Sequence, residues 1–305
     1  YLPLDLRANI EDVATGKVLN SHLRESASNF LNHVDAGTYS APTFADLDGD
    51  GDLDLFIGRS NGKILYVKNT GTSAAPVMTP QSDANSSVGS VDVGSKSAPT
   101  FADLDGDGDL DLFVGTDAGP IQYYKNTGSS TAPVFIATTG SDNPLLLPGF
   151  NGKSSKPTFA DLDGDGDLDL FIGRSNGKIL YVKNTGTSAA PVMTPQSDAN
   201  SSVGSVDVGS KSAPTFADLD GDGDLDLFVS EQALGIMYYK NTGTSTAPVM
   251  TATTGADNPF HGIEWGDRRR IALAFADLDA DGDLDAFIGE KEGGAITYFE
   301  NVEGD

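Results

Sequence analysis

The chain has 305 residues, 38% of them hydrophobic, no cysteine and a formal net charge of −26. This charge argues against nucleic acid and anionic lipid as partners, since both need a basic footprint. The lack of cysteine excludes disulfides and thiol chemistry, and no apolar run approaches the roughly 18 residues of a membrane span.

The sequence starts at Tyr1 without Met or a secretory leader, so it reads as a mature or excised segment. In the first segment Leu2, Leu4, Leu6, Ala8 and Ile10 alternate, which predicts a strand over residues 2–10. Leu19, Leu23, Ala27 and Phe30 then recur at helical spacing and predict a short amphipathic helix over about 17–31. Residues 1–39 form an N-terminal arm in this reading.

From residue 40 onward one unit repeats. The acidic phrase Asp-Leu-Asp-Gly-Asp-Gly-Asp-Leu-Asp starts at Asp46, Asp103, Asp161, Asp218 and Asp277, with Ala280 replacing the first glycine of the last copy. Starts 57, 58, 57 and 59 residues apart mark a repeat architecture. In the first unit a strand over Pro42–Ala45 enters the acidic loop and a second, Leu53–Gly58, leaves it. Asn61-Gly62 is a two-residue hairpin signal. A third strand follows over Lys63–Lys68, then the turn Asn69-Thr70-Gly71, and a fourth strand begins at Pro76-Val77-Met78. Four short strands per unit predict an all-β five-bladed β-propeller. Its blades fall at about 40–96, 97–154, 155–211, 212–270 and 271–305. Phe44, Phe101, Phe159, Phe216 and Phe275 share one place in the first strand, and Phe56, Phe113, Phe171, Phe228 and Phe287 share one in the second. Five equivalent aromatics are expected to be packing between blades rather than ligand contacts.

Each acidic loop suits Ca2+, a hard cation that takes six to eight oxygens. In the first loop Asp46, Asp48 and Asp50 alternate and can converge, Asp52 offers its carbonyl, and Asp54 closes the site. The same roles fall on Asp103, Asp105, Asp107, Asp109 and Asp111, and on Asp161, Asp163, Asp165, Asp167 and Asp169. They recur on Asp218, Asp220, Asp222, Asp224 and Asp226, then on Asp277, Asp279, Asp281, Asp283 and Asp285. Gly49 and Gly51 permit the tight, partly left-handed turn that this requires. An EF-hand is excluded, because its twelfth loop position is a Glu and here it is Ile57. Four carboxylates within nine residues repel one another without a cation. Five bound ions would leave a net charge of about −16.

The unit Ala-Pro-Thr-Phe-Ala-Asp-Leu-Asp-Gly-Asp-Gly-Asp-Leu-Asp-Leu-Phe-Ile-Gly, followed by Tyr-Val-Lys-Asn-Thr-Gly-Thr-Ser-Ala-Ala-Pro-Val, resembles bacterial FG-GAP/VCBS-type repeats over residues 33–305. The resemblance implies a calcium-stabilised propeller like the integrin α-subunit head, with metal loops that are mainly structural and lie away from the usual ligand face. It spans adhesins, lectins and accessory modules of secreted enzymes, so the fold does not name the function.

Two irregularities bear on function. Residues 42–114 recur unchanged at 157–229, which suits a scaffold better than a catalytic cleft. The last blade lacks a fourth strand, and an open edge is seldom tolerated. Residues 1–16 are expected to fill that edge, in their own ring or in a neighbour's by strand addition. The expected function is an extracellular structural or adhesive subunit, not an enzyme, that self-associates into a filament, with a glycan or surface protein as a further partner. Millimolar calcium outside the cell fits weak, multiple sites. A monomeric lectin-like or adhesin module is the alternative, and a polysaccharide-acting enzyme or its accessory domain the third reading. Trp265, Asp267 and Arg268, in the outlying connector before the last blade, are candidate ligand or subunit contacts.

Overall fold

A computed structural model describes residues 22–25, 30–117, 119–147, 154–231, 235–263 and 272–302. Twenty short strands form five four-stranded antiparallel sheets. Blade one is Ala41–Ala45, Asp54–Gly58, Ile64–Asn69 and Met78–Pro80; blade two is Ala98–Ala102, Asp111–Gly115, Gln122–Asn126 and Phe135–Thr138. Blade three is Lys156–Ala160, Asp169–Gly173, Ile179–Asn184 and Met193–Pro195; blade four is Ala213–Ala217, Asp226–Glu231, Gly235–Asn241 and Met250–Thr253. The first strands pack against one another in a ring, with that of blade five against that of blade one. The protein is thus an all-β five-bladed propeller.

The second strands are buried along their whole length. They lie between two strands of their own sheet and between two blades, which accounts for runs such as Asp-Leu-Phe-Ile-Gly with no polar alternation. Phe56 stacks on Tyr66 of its own blade at 4.8 Å and meets Phe101 of the next blade edge-on at 4.8 Å. The same triplet recurs around the ring, and Phe44 against Phe287 at 4.5 Å joins the last blade to the first. Offset and edge-on aromatic pairs at these separations add to the area that their burial removes from water. The expected inter-blade role of both phenylalanine sets is therefore what the structure has. In four of the blades a glycine at the end of the second strand meets the next blade closely. A Cβ on Gly58 would collide with the Ser97 carbonyl, and one on Gly289 with that of Ser40, so in these blades glycine lets the next first strand approach, whereas blade four has the buried Ser230 at this place.

Blade five differs from the sequence expectation. Its strands are Ala272–Ala276, Asp285–Gly289 and Ile296–Val302, and the fourth is His22–Glu25, with His22 opposite Val302 and Glu25 opposite Phe299. The helix expected over 17–31 is corrected at these residues, which are a strand, and at 30–33, which form a turn. The edge of Ile296–Val302 presents backbone donors and acceptors that must be paired, and that demand outweighs a helical spacing of four apolar residues. Those residues serve separate cores: Leu23 packs beside Phe299, whereas Phe30 lies against Tyr298 at 5.2 Å. The strand expected over 2–10 lies outside the described residues.

Candidate metal centres

Each acidic loop joins a first strand to a second. In the first copy Gly49 and Gly51 adopt φ of +72° and +89°, the left-handed turn that brings alternate side chains to one side. Ala280, in the place of the first glycine of the fifth loop, takes φ +59° and carries strain that glycine would avoid. Backbone amides fix the first carboxylate: Gly49 N donates to Asp46 Oδ1 at 2.7 Å and Gly51 N to Asp46 Oδ2 at 3.0 Å. Asp103, Asp161 and Asp218 are held in a similar way.

The loops gather carboxylates at positions one, three and five. Asp46, Asp48 and Asp50 present oxygens within 4.8 Å of one another, as do the triads of Asp103, Asp105 and Asp107, of Asp161, Asp163 and Asp165, of Asp218, Asp220 and Asp222, and of Asp277, Asp279 and Asp281. The donor set is entirely oxygen, the choice of a hard cation. Buried Oδ1 atoms of Asp48, Asp105, Asp163, Asp277 and Asp279 have no hydrogen-bond partner. Orphaned carboxylate oxygens beside two other carboxylates fit a bound divalent ion.

The ninth-position aspartates are placed differently. Asp54 is fully buried; its Oδ2 accepts from the Tyr66 hydroxyl at 2.7 Å and its Oδ1 from Asn69 N at 2.6 Å. Tyr123 and Asn126 hold Asp111 in this way, Tyr181 and Asn184 hold Asp169, Tyr238 and Asn241 hold Asp226, and Tyr298 and Asn301 hold Asp285. Burial pushes Asp54, Asp111, Asp169 and Asp226 up to about 6 and Asp285 up to about 7, against the opposing effect of these hydrogen bonds. Each ninth aspartate thus anchors the start of the second strand to the end of the third, at the base of the loop.

A basic partner of the loops escaped the sequence reading. Lys68, on the third strand, places its Nζ against Asp48 and 3.2 Å from Asp50. Lys125, Lys183 and Lys240 do the same at the next three loops. The contact with Asp105 raises the Lys125 ammonium, and Lys183 holds Asp165 below the usual carboxylate range. In blade five the matching residue is Glu300, one before Asn301 as Lys68 is one before Asn69. There burial and the charges of Asp281 and Asp277 push Asp279 upward. The recurring Tyr-Val-Lys-Asn was visible in the sequence, but its reach across 20 residues to the loop was not. Trp265, Asp267 and Arg268 lie outside the described residues.

Residues 103–172 and 161–229 match a family model described as an FG-GAP-like repeat. No curated protein matches the chain. Among solved structures the chain is similar to the catalytic domain of a GH62 α-L-arabinofuranosidase from Coprinopsis cinerea, at 14% identity and a TM-score of 0.51 over 93% of this chain and 90% of that one. It is similar to an α-L-arabinofuranosidase from Podospora anserina in complex with cellotriose, at 13% identity and 0.51 over 92% and 95%. A lectin from Agrocybe aegerita that recognises non-reducing terminal N-acetylglucosamine aligns at 20% identity and 0.43 over 88% and 67%. At these identities the likeness to the two arabinofuranosidases is one of fold alone.

Proposed function

Because the chain is a five-bladed propeller of FG-GAP-like repeats, consistent with the FG-GAP-type family, we propose that it is a calcium-stabilised structural or adhesive subunit that works outside the cell. Calcium would neutralise the triads in all five blades and tie each loop to its sheet. The roles first given to positions seven and nine, the carbonyl and the closing carboxylate, remain part of this proposal. Among the described residues no helix is long and apolar enough to cross a membrane.

The observation that carries the reading is the closure of blade five by His22–Glu25. Since that strand already pairs the last edge, the alternating segment Leu2–Ile10 is not needed for it. We assign residues 1–16 to strand addition on a neighbouring copy, which can build a filament when the rotation does not close. The receiving surface is an outer blade edge, where Val77, Val134, Val192 and Val249 recur and are each more than half exposed. This differs from the first expectation, in which the open edge of blade five received the strand. The carrying experiment is electron microscopy in millimolar calcium, before and after deletion of residues 1–16. Filaments that vanish on deletion, with an unchanged melting temperature, support the reading.

The closed ring also favours a second reading, a monomeric binding module for a glycan or surface protein. Dispersed single rings together with glycan-array binding would establish it. Sugar release from a polysaccharide would overturn both readings in favour of an enzyme.

A further inference from the structure

The outer edge of blade two differs from the other blade edges. Among the described residues six large apolar side chains are more than half exposed, and three of them, Val134, Ile136 and Leu146, belong to this blade. Val134, just before the outer strand Phe135–Thr138, and Ile136 within it lie two residues apart and so share a face. In blades one, three and four the place of Ile136 is taken by Thr79, Thr194 and Thr251. Their hydroxyls pair with those of Thr70, Thr185 and Thr242 at 2.9 Å. Blade two therefore shows an exposed apolar side chain where these edges close a polar pair.

The backbone of this edge is also open. Thr127 N donates to the Val134 carbonyl at 2.9 Å, so Val134 faces the third strand and, by alternation, the N–H groups of Phe135 and Ala137 face outward. In blades one and three the place of Ala137 is taken by Pro80 and Pro195, where outer strands of only three residues end. Proline removes the outward donor and blunts an edge against pairing. The outer strand of blade five carries Arg24 and Glu25, and charge has the same effect. Blade four keeps Ala252 but has the paired Thr251. Among the described edges, only that of blade two joins open backbone donors to an apolar face. Number matters too, since a head-to-tail contact with one donor segment per chain needs one acceptor per chain. Blades one and three offer the same edge twice, because residues 42–114 recur at 157–229, whereas blade two offers its edge once.

Given strand donation by residues 1–16, on which this rests, we propose that the acceptor is the outer edge of blade two and that its occupant is Leu2–Ile10 of a second copy. Leu2, Leu4 and Leu6 then lie on the side of Val134 and Ile136 as cross-strand neighbours, while Asp5, Arg7 and Asn9 face water. Pro3 falls near the start of the donor, where a strand tolerates it. Residues 11–21 join the donor to His22 and span up to about 36 Å when extended, against about 14 Å across the four strands of a blade. That reach carries the donor beyond its own blade five.

The test is electron microscopy and pelleting of the full chain in millimolar calcium. Ile136→Thr/Ala137→Pro gives blade two the Thr-Pro edge that blades one and three already carry. It should keep the wild-type melting temperature and reduce the pelleted filament by about tenfold or more. Ala252→Pro, the matching change in blade four, should assemble as the wild type does. Wild-type filaments in the folded double variant would overturn the proposal and leave strand donation standing. Equal loss in Ala252→Pro would also overturn it, since no blade is then singled out. Rings lacking residues 1–16 that still associate, until Ile136→Thr/Ala137→Pro disperses them, would overturn it in favour of edge-to-edge pairing between copies. Filaments that survive deletion of residues 1–16, or none in the wild type, would remove strand donation and this acceptor together. Should the double variant unfold, wild-type filaments in the surface variant Ile136→Lys are enough to overturn the proposal.

Discussion

At the residue scale the loop is built from two kinds of aspartate. Asp46, Asp48 and Asp50 face one another, whereas Asp54 is buried under Tyr66 and Asn69. Tyr66→Phe removes one donor and leaves a buried carboxylate oxygen unpaired, which should cost about 1–3 kcal/mol and appear as a lower melting temperature. The five buried ninth-position aspartates also predict how the calcium-free protein responds to pH. Their folded values, about 6 and in one case about 7, lie above the ordinary 3.8. The folded state therefore holds protons more tightly than the unfolded state. The stability this gives is fully present below the unfolded value and is lost as pH rises through the folded ones. In chelator, thermal melts should show stability falling between about pH 4 and pH 7, and calcium should reduce that slope by stabilising the charged loops. A chelated protein that gains stability over this window would contradict the assignment.

At the element scale the five loops are not equivalent. Lys68, Lys125, Lys183 and Lys240 place an ammonium group in four triads, while Glu300 holds the matching position on the third strand of blade five. An ammonium beside a divalent cation opposes its binding, whereas a further carboxylate favours it. Calorimetric calcium titration should therefore resolve a tighter site that Glu300→Lys weakens by roughly tenfold, with Lys68→Met strengthening the first loop by a similar factor. Five identical sites in the wild type, unchanged by Glu300→Lys, would sink this distinction. The closing strand is an element of the same kind of importance. Deletion of residues 1–29 removes His22–Glu25 and exposes the edge of Ile296–Val302. It should lower the melting temperature and promote association through that edge, where deletion of residues 1–16 should leave the propeller intact.

At the scale of the whole molecule, stability is a ring property. The aromatic contacts continue from blade to blade and return through Phe44 and Phe287, so loosening one blade loosens its neighbours. Ions that bind only the folded ring stabilise it by mass action, about 2.7 kcal/mol per site at a hundredfold excess over Kd. Chelation of several sites should lower the melting temperature by at least about 10 °C. An unchanged melt in chelator would remove calcium from the account.

The sequence alone determined the blades, because their signals are local. A nine-residue acidic loop, an Asn61-Gly62 turn and a run such as Asp54–Gly58 each report within a few residues on the backbone they need. The phenylalanine positions were legible for a related reason, since five copies at one register imply one shared environment. Only the tertiary structure decided what joins distant parts of the chain. His22–Glu25 meets Ile296–Val302 across some 280 residues, and nothing local distinguishes a strand wanted there from a helix. Lys68 reaches Asp48 because the third strand folds back beside the loop. Lys96, Lys211 and Ser40 come together only where separate blades converge on the axis. Such pairings depend on ring closure, which exists once all five blades are in place.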